Sequence, residues 1–240
     1  LYPISKSTRM KKILTLLFLI VGLSTFAQEK TLNALFIKTK VGHGGLFHAA
    51  DEAWFNKYKP VNNNNPHIVF DVMGGLHNSE ILTIFNIGKS FADRDVDSSP
   101  VDGKWENFNV NVSPHIESMT ADLIIYKEEY SNSSLADKAD KFMNTVYEIK
   151  GIGSNKVLTD IMKKLPKVWD KLGWKIASFT TTTGTNRLIQ SRRLPNGWKE
   201  LDDTTADFPS AYDLIYGKGS FDRDIIVLST WMTRIDKYML

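Results

Sequence analysis

The stretch HIVFDVM, residues 67–73, carries the pair best placed for chemistry. Side chains alternate along a strand, so positions i and i+4 lie on one side. His67, Val69, Asp71 and Met73 therefore share a face, with Ile68, Phe70 and Val72 on the other. An imidazole and a carboxylate on an otherwise apolar face can accept a proton or orient a ligand. The plainer reading has His67 in solvent at the strand end and Asp71 paired with a Lys or Arg across a hairpin. A second stretch, VGHGGLFHAADEAWF at residues 41–55, holds His43 and His48 five apart. Histidines that share a metal on one helical face are spaced by three or four, and five places them on different sides. Asp51, three residues beyond His48, could complete a His48–Asp51 pair, which with a third ligand would be a metal site. The same residues read more simply as a loop and helix start, with acids in the first turns complementing the helix dipole. VGHGG lacks both the Lys-Ser/Thr of a phosphate loop and the full G-x-G-x-x-G.

His115 follows a proline in VSPHIES and has no companion motif. Arg192 and Arg193 end the segment RLIQSRRL. Alternation turns one inward, where it could grip a carboxylate through two parallel hydrogen bonds; Arg193 is the candidate. Tyr126, Trp54, Trp169 and Trp231 are core residues that can also line a pocket. The ligand-binding candidates are thus His67, Asp71, His115, Tyr126 and Arg193, and no residue is assigned a catalytic role. G-x-S-x-G and H-E-x-x-H are both missing. The absence of cysteine excludes disulfides, thiolate nucleophiles, Cys-ligated zinc and iron–sulfur clusters.

The elements that must hold these residues follow one order twice. In the first half, 32–39 alternates as a strand and 46–58 has helical spacing. A breaker, NNNNP, occupies 62–66. Segments 67–73 and 80–87 form a hairpin, 102–118 is partly helical, and 121–130 is a strand. In the second half, 146–149 is a strand, 151–155 a Gly-rich loop and 156–172 a helix. Segments 174–180 and 187–193 form a hairpin, 195–220 is loose, and 224–232 (DIIVLSTWM) is the last strand. Each β-α-β-β-α-β unit is a ferredoxin-like split βαβ, with one sheet face left to bury. The expected fold is α+β: two such repeats, 28–130 and 145–240, joined by a linker at 131–144 and packed sheet to sheet as a barrel-like tandem.

The start of the chain has a separate logic. Residues 1–9 precede Met10 and read as an upstream extension. Met10-Lys11-Lys12, the apolar run 13–23 and Ser24 to Gln28 follow the three-part pattern of a secretory signal, with cleavage between Ala27 and Gln28. An uncleaved anchor is the alternative, although the run is short of the roughly 20 residues a membrane span needs. The formal charge is +3, and Lys6, Arg9, Lys11 and Lys12 all lie in this segment with no acid beside them. Without them the chain carries about −1, which gives no reason to expect nucleic acid or an anionic membrane as partner.

This layout resembles the fused, tandem form of the dimeric α+β barrel superfamily, which includes antibiotic-biosynthesis-monooxygenase-like, NIPSNAP-like and EthD-like families. The resemblance implies a cavity between helices and sheet, or inside the barrel, for a small apolar or aromatic molecule. Some members are cofactor-independent oxygenases, some bind haem, and some have no known activity. A histidine near the position of His115 is an axial haem ligand in some of them. The expectation is an exported small-molecule-binding protein, periplasmic or extracellular, with no cofactor and no membrane span in the mature chain. A homo-oligomer is compatible with it. The alternatives are an oxygenase or haem-dependent enzyme using His67 and Asp71 or His115, and a cell-envelope interaction module without catalysis.

Overall fold

The computed structural model describes residues 29–58, 66–96, 103–151, 156–182, 184–203 and 205–240. The signal segment with its Ala27–Gln28 junction, the asparagine run and most of the Gly-rich loop at 151–155 lie outside them. The first half runs β1 (Thr31–Thr39), α1 (Gly44–Tyr58), β2 (Ile68–Asp71), β3 (Ile81–Lys89), α2 (Phe91–Val96), α3 (Lys104–Asn111) and β4 (Ile116–Tyr126). The second runs β5 (Phe142–Ile149), α4 (Lys156–Met162), α5 (Leu165–Lys171), β6 (Lys175–Thr181), β7 (Arg187–Arg193), α6 (Phe208–Tyr216), α7 (Ser220–Trp231) and β8 (Met232–Met239).

All eight strands form one antiparallel sheet in the order β2-β3-β1-β4-β6-β7-β5-β8. Within each half the order is that of a ferredoxin-like unit, its fourth strand outside its first and its second outside its third. The halves meet where β4 pairs with β6, through Ile124↔Thr181, Ile125↔Thr180 and Tyr126↔Phe179. The ring closes at the opposite seam. There Met73 and Met239 exchange two backbone hydrogen bonds of 2.9 Å, bringing β8 to the segment after β2. Both seams join the fourth strand of one half to the second-strand region of the other. The α+β tandem expected from the sequence is therefore present, with its two sheets merged edge to edge into one barrel.

Alternation divides each strand between two environments. Leu32, Ala34 and Phe36 of β1 point into the barrel, where they meet Leu82, Ile124, Phe179 and Tyr238. Leu35 and Ile37 point outward to a helix layer containing Phe47, Trp54, Val112 and Phe108. A second helix layer, built on Leu158, Leu165, Val168, Trp169 and Tyr212, covers the outer face of the other half. An eight-stranded barrel has an interior just wide enough for side chains to fill, and here the apolar cluster of both halves occupies it.

Four segments differ from expectation, the first being 195–220, read as loose, which holds helix α6 at Phe208–Tyr216. Residues 224–231 belong to helix α7, and the last strand starts at Met232. Phe221, Leu228 and Trp231 pack into the helix layer, Asp224 is buried, and Ile226 is 65% exposed, a helical distribution that mimics an apolar strand over five residues. The true strand MTRIDKYM is polar and interrupted by a register shift opposite Val146 and Tyr147, which hides its alternation. The expected helix over 156–172 is two helices broken at Lys163–Lys164, with Pro166 in the first turn of α5, where its missing N–H is tolerated. β5 begins at Phe142, inside the segment read as linker.

Candidate functional site

The outer face of the second half holds a cavity of about 420 Å³. Its floor is sheet: Met143, Thr145 and Tyr147 of β5, and Gln190 and Arg192 of β7, alternate residues that all leave the barrel on the same side. Met162 of α4, with Leu165 and Trp169 of α5, forms one wall. Leu228 and Ser229 of α7 form another. Trp174 and Phe208 complete it, their rings stacked with centroids 6.1 Å apart and planes 18° from parallel. The corresponding helix layer of the first half has a core cluster of its own. Phe47 and Val112 there are fully buried. Trp54 packs edge-on to Phe108 at 5.3 Å and donates from Nε1 to the carbonyl of Lys104 at 3.0 Å.

Arg192 is the charged group of this cavity. Its guanidinium carbon lies 4.4 Å from the centre of the Trp174 ring, a stacking contact that favours a desolvated cation. Its Nε is buried and has no hydrogen-bond partner among the described residues. Burial holds its pKa below the usual arginine value, against the raising influence of Glu200 and Asp203; the group stays charged at neutral pH. Both acids are committed elsewhere. Glu200 accepts the N–H of Asn196 at 2.5 Å, and Asp203 accepts from the backbone and hydroxyl of Thr205. Burial pushes the Tyr147 phenol up, so it remains an O–H donor.

The histidines and carboxylates of the first half come together with their partners exchanged. His67 Nε2 lies 2.6 Å from Asp51 Oδ2, and His48 Nε2 lies 3.0 Å from Asp71 Oδ1. His67 and Asp71 both face α1, as their shared alternation requires, and α1 crosses β2 so that each meets a residue the chain places elsewhere. The His67–Asp51 pair is nearly buried, with side-chain exposures of 9% and 6%, and Phe55 stacks on the imidazole at 4.4 Å. Asp71 is largely in solvent. Since His48 and Asp51 have different partners, they do not form the pair a metal would need. Among the described residues no group of three His, Cys, Asp or Glu side chains is arranged to hold a metal ion.

His115 stands outside the cavity at the start of β4, its Nδ1 3.0 Å from that of His43. The cavity lining contains no imidazole, so its residues do not fit a haem ligated by His115. Tyr126 points into the barrel and donates to the carbonyl of Ser133 at 2.8 Å. Arg193 is the inward member of its pair, as alternation predicts one must be. It donates to the Ser133 hydroxyl and to the carbonyl of Ser134, and lies over the Phe142 ring. It thereby pins the segment between the two halves, while its neighbour Arg192 faces the cavity. The signal that marks Arg192 is its register with Leu188 and Gln190 on the outward face of β7.

No protein-family model matches the chain, and no curated protein matches it in sequence. Solved structures do match over most of its length. A Fusobacterium nucleatum protein named as a monooxygenase aligns with a TM-score of 0.55 at 12% identity, over 89% of this chain and 93% of that one. A Lactobacillus acidophilus protein, also named as a monooxygenase, aligns with a TM-score of 0.50 at 9% identity, over 89% and 94%. At such identity the likeness is one of fold: this chain has the ferredoxin-like α+β architecture of those structures.

Proposed function

We propose that the chain binds a small apolar or aromatic molecule between the helices and the outer sheet face of its second half. The observation that carries this is the cavity itself, about 420 Å³ lined by apolar and aromatic side chains, with the polar groups of Thr145, Tyr147, Gln190 and Arg192 on its floor. A mostly apolar pocket with a few convergent polar groups is the usual form of a small-molecule site. We further propose that the protein acts after export, on the strength of the signal pattern over residues 10–28; N-terminal sequencing of the native protein should then begin at Gln28. Native mass spectrometry with an ultraviolet–visible spectrum, on protein from its own host, tests the binding. A retained organic mass supports the reading, and a protein that neither retains nor takes up apolar compounds overturns it.

A second reading, oxidation of the bound molecule by dioxygen without a cofactor, rests on the fold shared with two proteins named as monooxygenases. The cavity lining supplies no carboxylate or imidazole to remove a proton, so binding is the reading its residues favour. Oxygen uptake dependent on an added ligand would establish turnover.

A further inference from the structure

Resting on the cavity proposed above as a small-molecule site, we infer that its ligand is an apolar carboxylic acid whose carboxylate is received by Arg192. The walls are predominantly apolar: Leu165, Leu228, Trp169 and Phe208 bound the space. Within that lining Arg192 is the single formally charged residue, and no acid lines the cavity to neutralise it. The guanidinium carbon lies 4.4 Å from the centre of the Trp174 ring, a cation–π contact that restrains the position of the charge. Its Nε has lost water without gaining a partner among the described residues. A buried donor left unmatched is costly, and a ligand that matches it recovers that cost. The planar fork of arginine suits a carboxylate, which accepts two parallel N–H bonds.

The two nearby acids do not take that role. Glu200 and Asp203 influence Arg192 through space, yet neither belongs to the lining, and each already accepts hydrogen bonds from its own loop. The remaining polar groups of the cavity suit a carboxylate as well. Gln190 stands two residues from Arg192 on the same face of β7, and Thr145 and Tyr147 bring hydroxyls from β5. The first half offers a contrast within one molecule. Arg94 gives its Nε to the Thr31 hydroxyl at 2.8 Å and one terminal nitrogen to Asn33, leaving only its other terminal nitrogen buried without a partner among the described residues.

The test is calorimetric titration of the full chain with benzoate, 2-naphthoate and decanoate, each beside its neutral primary amide, followed in parallel by tryptophan fluorescence. At least one acid should bind about ten-fold or more tightly than its amide, the margin of a charge-assisted pair over a neutral one. Arg192→Met should cost the acid about ten-fold or more and the amide, which accepts only a neutral hydrogen bond, markedly less, so that the gap between them closes; amide binding that persists shows the cavity intact. Should that variant fail to fold, Arg192→Lys provides the same comparison: it keeps the charge but lacks the fork, and should lose several-fold in acid affinity alone. Acids and amides binding alike would overturn the carboxylate inference and leave the cavity reading standing. No binding from either series would overturn both.

Discussion

The polar side chains of this protein divide into those the fold consumes and those it leaves facing space, and sequence type does not distinguish them. His67, Arg193 and Tyr126 have the chemistry of site residues, yet each is bound to a partner within the protein: Asp51, the Ser133–Ser134 segment and the Ser133 carbonyl respectively. Alternation could place His67 with Asp71 on one face and split Arg192 from Arg193, but it could not identify what either face would meet. Asp224 is consumed in the same way. It sits inside the helix layer, accepting from Lys164 Nζ at 2.6 Å, from the Tyr212 hydroxyl at 2.7 Å and from Arg223 Nε at 3.2 Å. Burial alone would raise its pKa; the hydrogen bonds from Lys164 and Tyr212 outweigh that and hold it below the ordinary carboxylate value. Asp224→Ala, which leaves a buried phenol without an acceptor, should destabilise the protein by about 1–3 kcal/mol at pH 7 in denaturant titrations. A carboxylate whose folded pKa is depressed adds stability above its unfolded pKa of about 3.9, and that stability is lost as pH falls through the folded value. Wild-type stability should therefore fall more steeply than that of Asp224→Asn below about pH 4, in thermal melts taken across that range.

At the level of elements, legibility followed the regularity of each pattern. β1 and β7 alternate between barrel and helix layer, β3 does so up to an irregularity at Asn86, and the positions of all three could be read to within two residues. Segment 224–232 failed because helical and strand periods coincide over so short an apolar run, and only tertiary contacts decide between them. The helix assignment has a mutational consequence. A doubly buried strand would bring Ile226 into a core, whereas in α7 it lies outward at 65% exposure. Ile226→Lys should then change stability by no more than about 0.5 kcal/mol, as surface substitutions do. Leu228→Lys, two positions on, places an ammonium in the helix layer and the cavity wall. It should lower the melting temperature by several degrees and abolish ligand uptake, read by differential scanning fluorimetry and fluorescence titration. Equal effects from the two substitutions would contradict the helix.

Over the whole molecule, the repeated order of elements was visible in the sequence, and so was the need for each half to bury a sheet face. What could not be read was the manner of joining, because it depends on a few backbone contacts with no side-chain signature. The closing seam is the narrower one. Beyond the Met73–Met239 exchange, it is fastened by Leu76, whose N–H donates to Asp236 Oδ1 at 3.0 Å. Gly75 makes that approach feasible. Its φ is 70°, and a Cβ there would lie 2.9 Å from the carbonyl oxygen of Lys237 and against Oδ1 of Asp236. Gly74 is the natural control, with φ at 80° and nothing within 4 Å of a Cβ. Alanine at either position bears the penalty of a left-handed backbone, roughly 1 kcal/mol. Only at Gly75 must the turn also move away from β8, adding a strain of about 1–3 kcal/mol. Gly75→Ala should thus melt several degrees below Gly74→Ala, and hydrogen exchange should quicken at Met73 and Met239 while β1–β4 pairing stays protected. If the two variants melt together with unchanged exchange at Met73, the barrel does not depend on this contact for its closure. The Met73–Met239 exchange would then close the barrel without help from the Gly75 approach to Asp236.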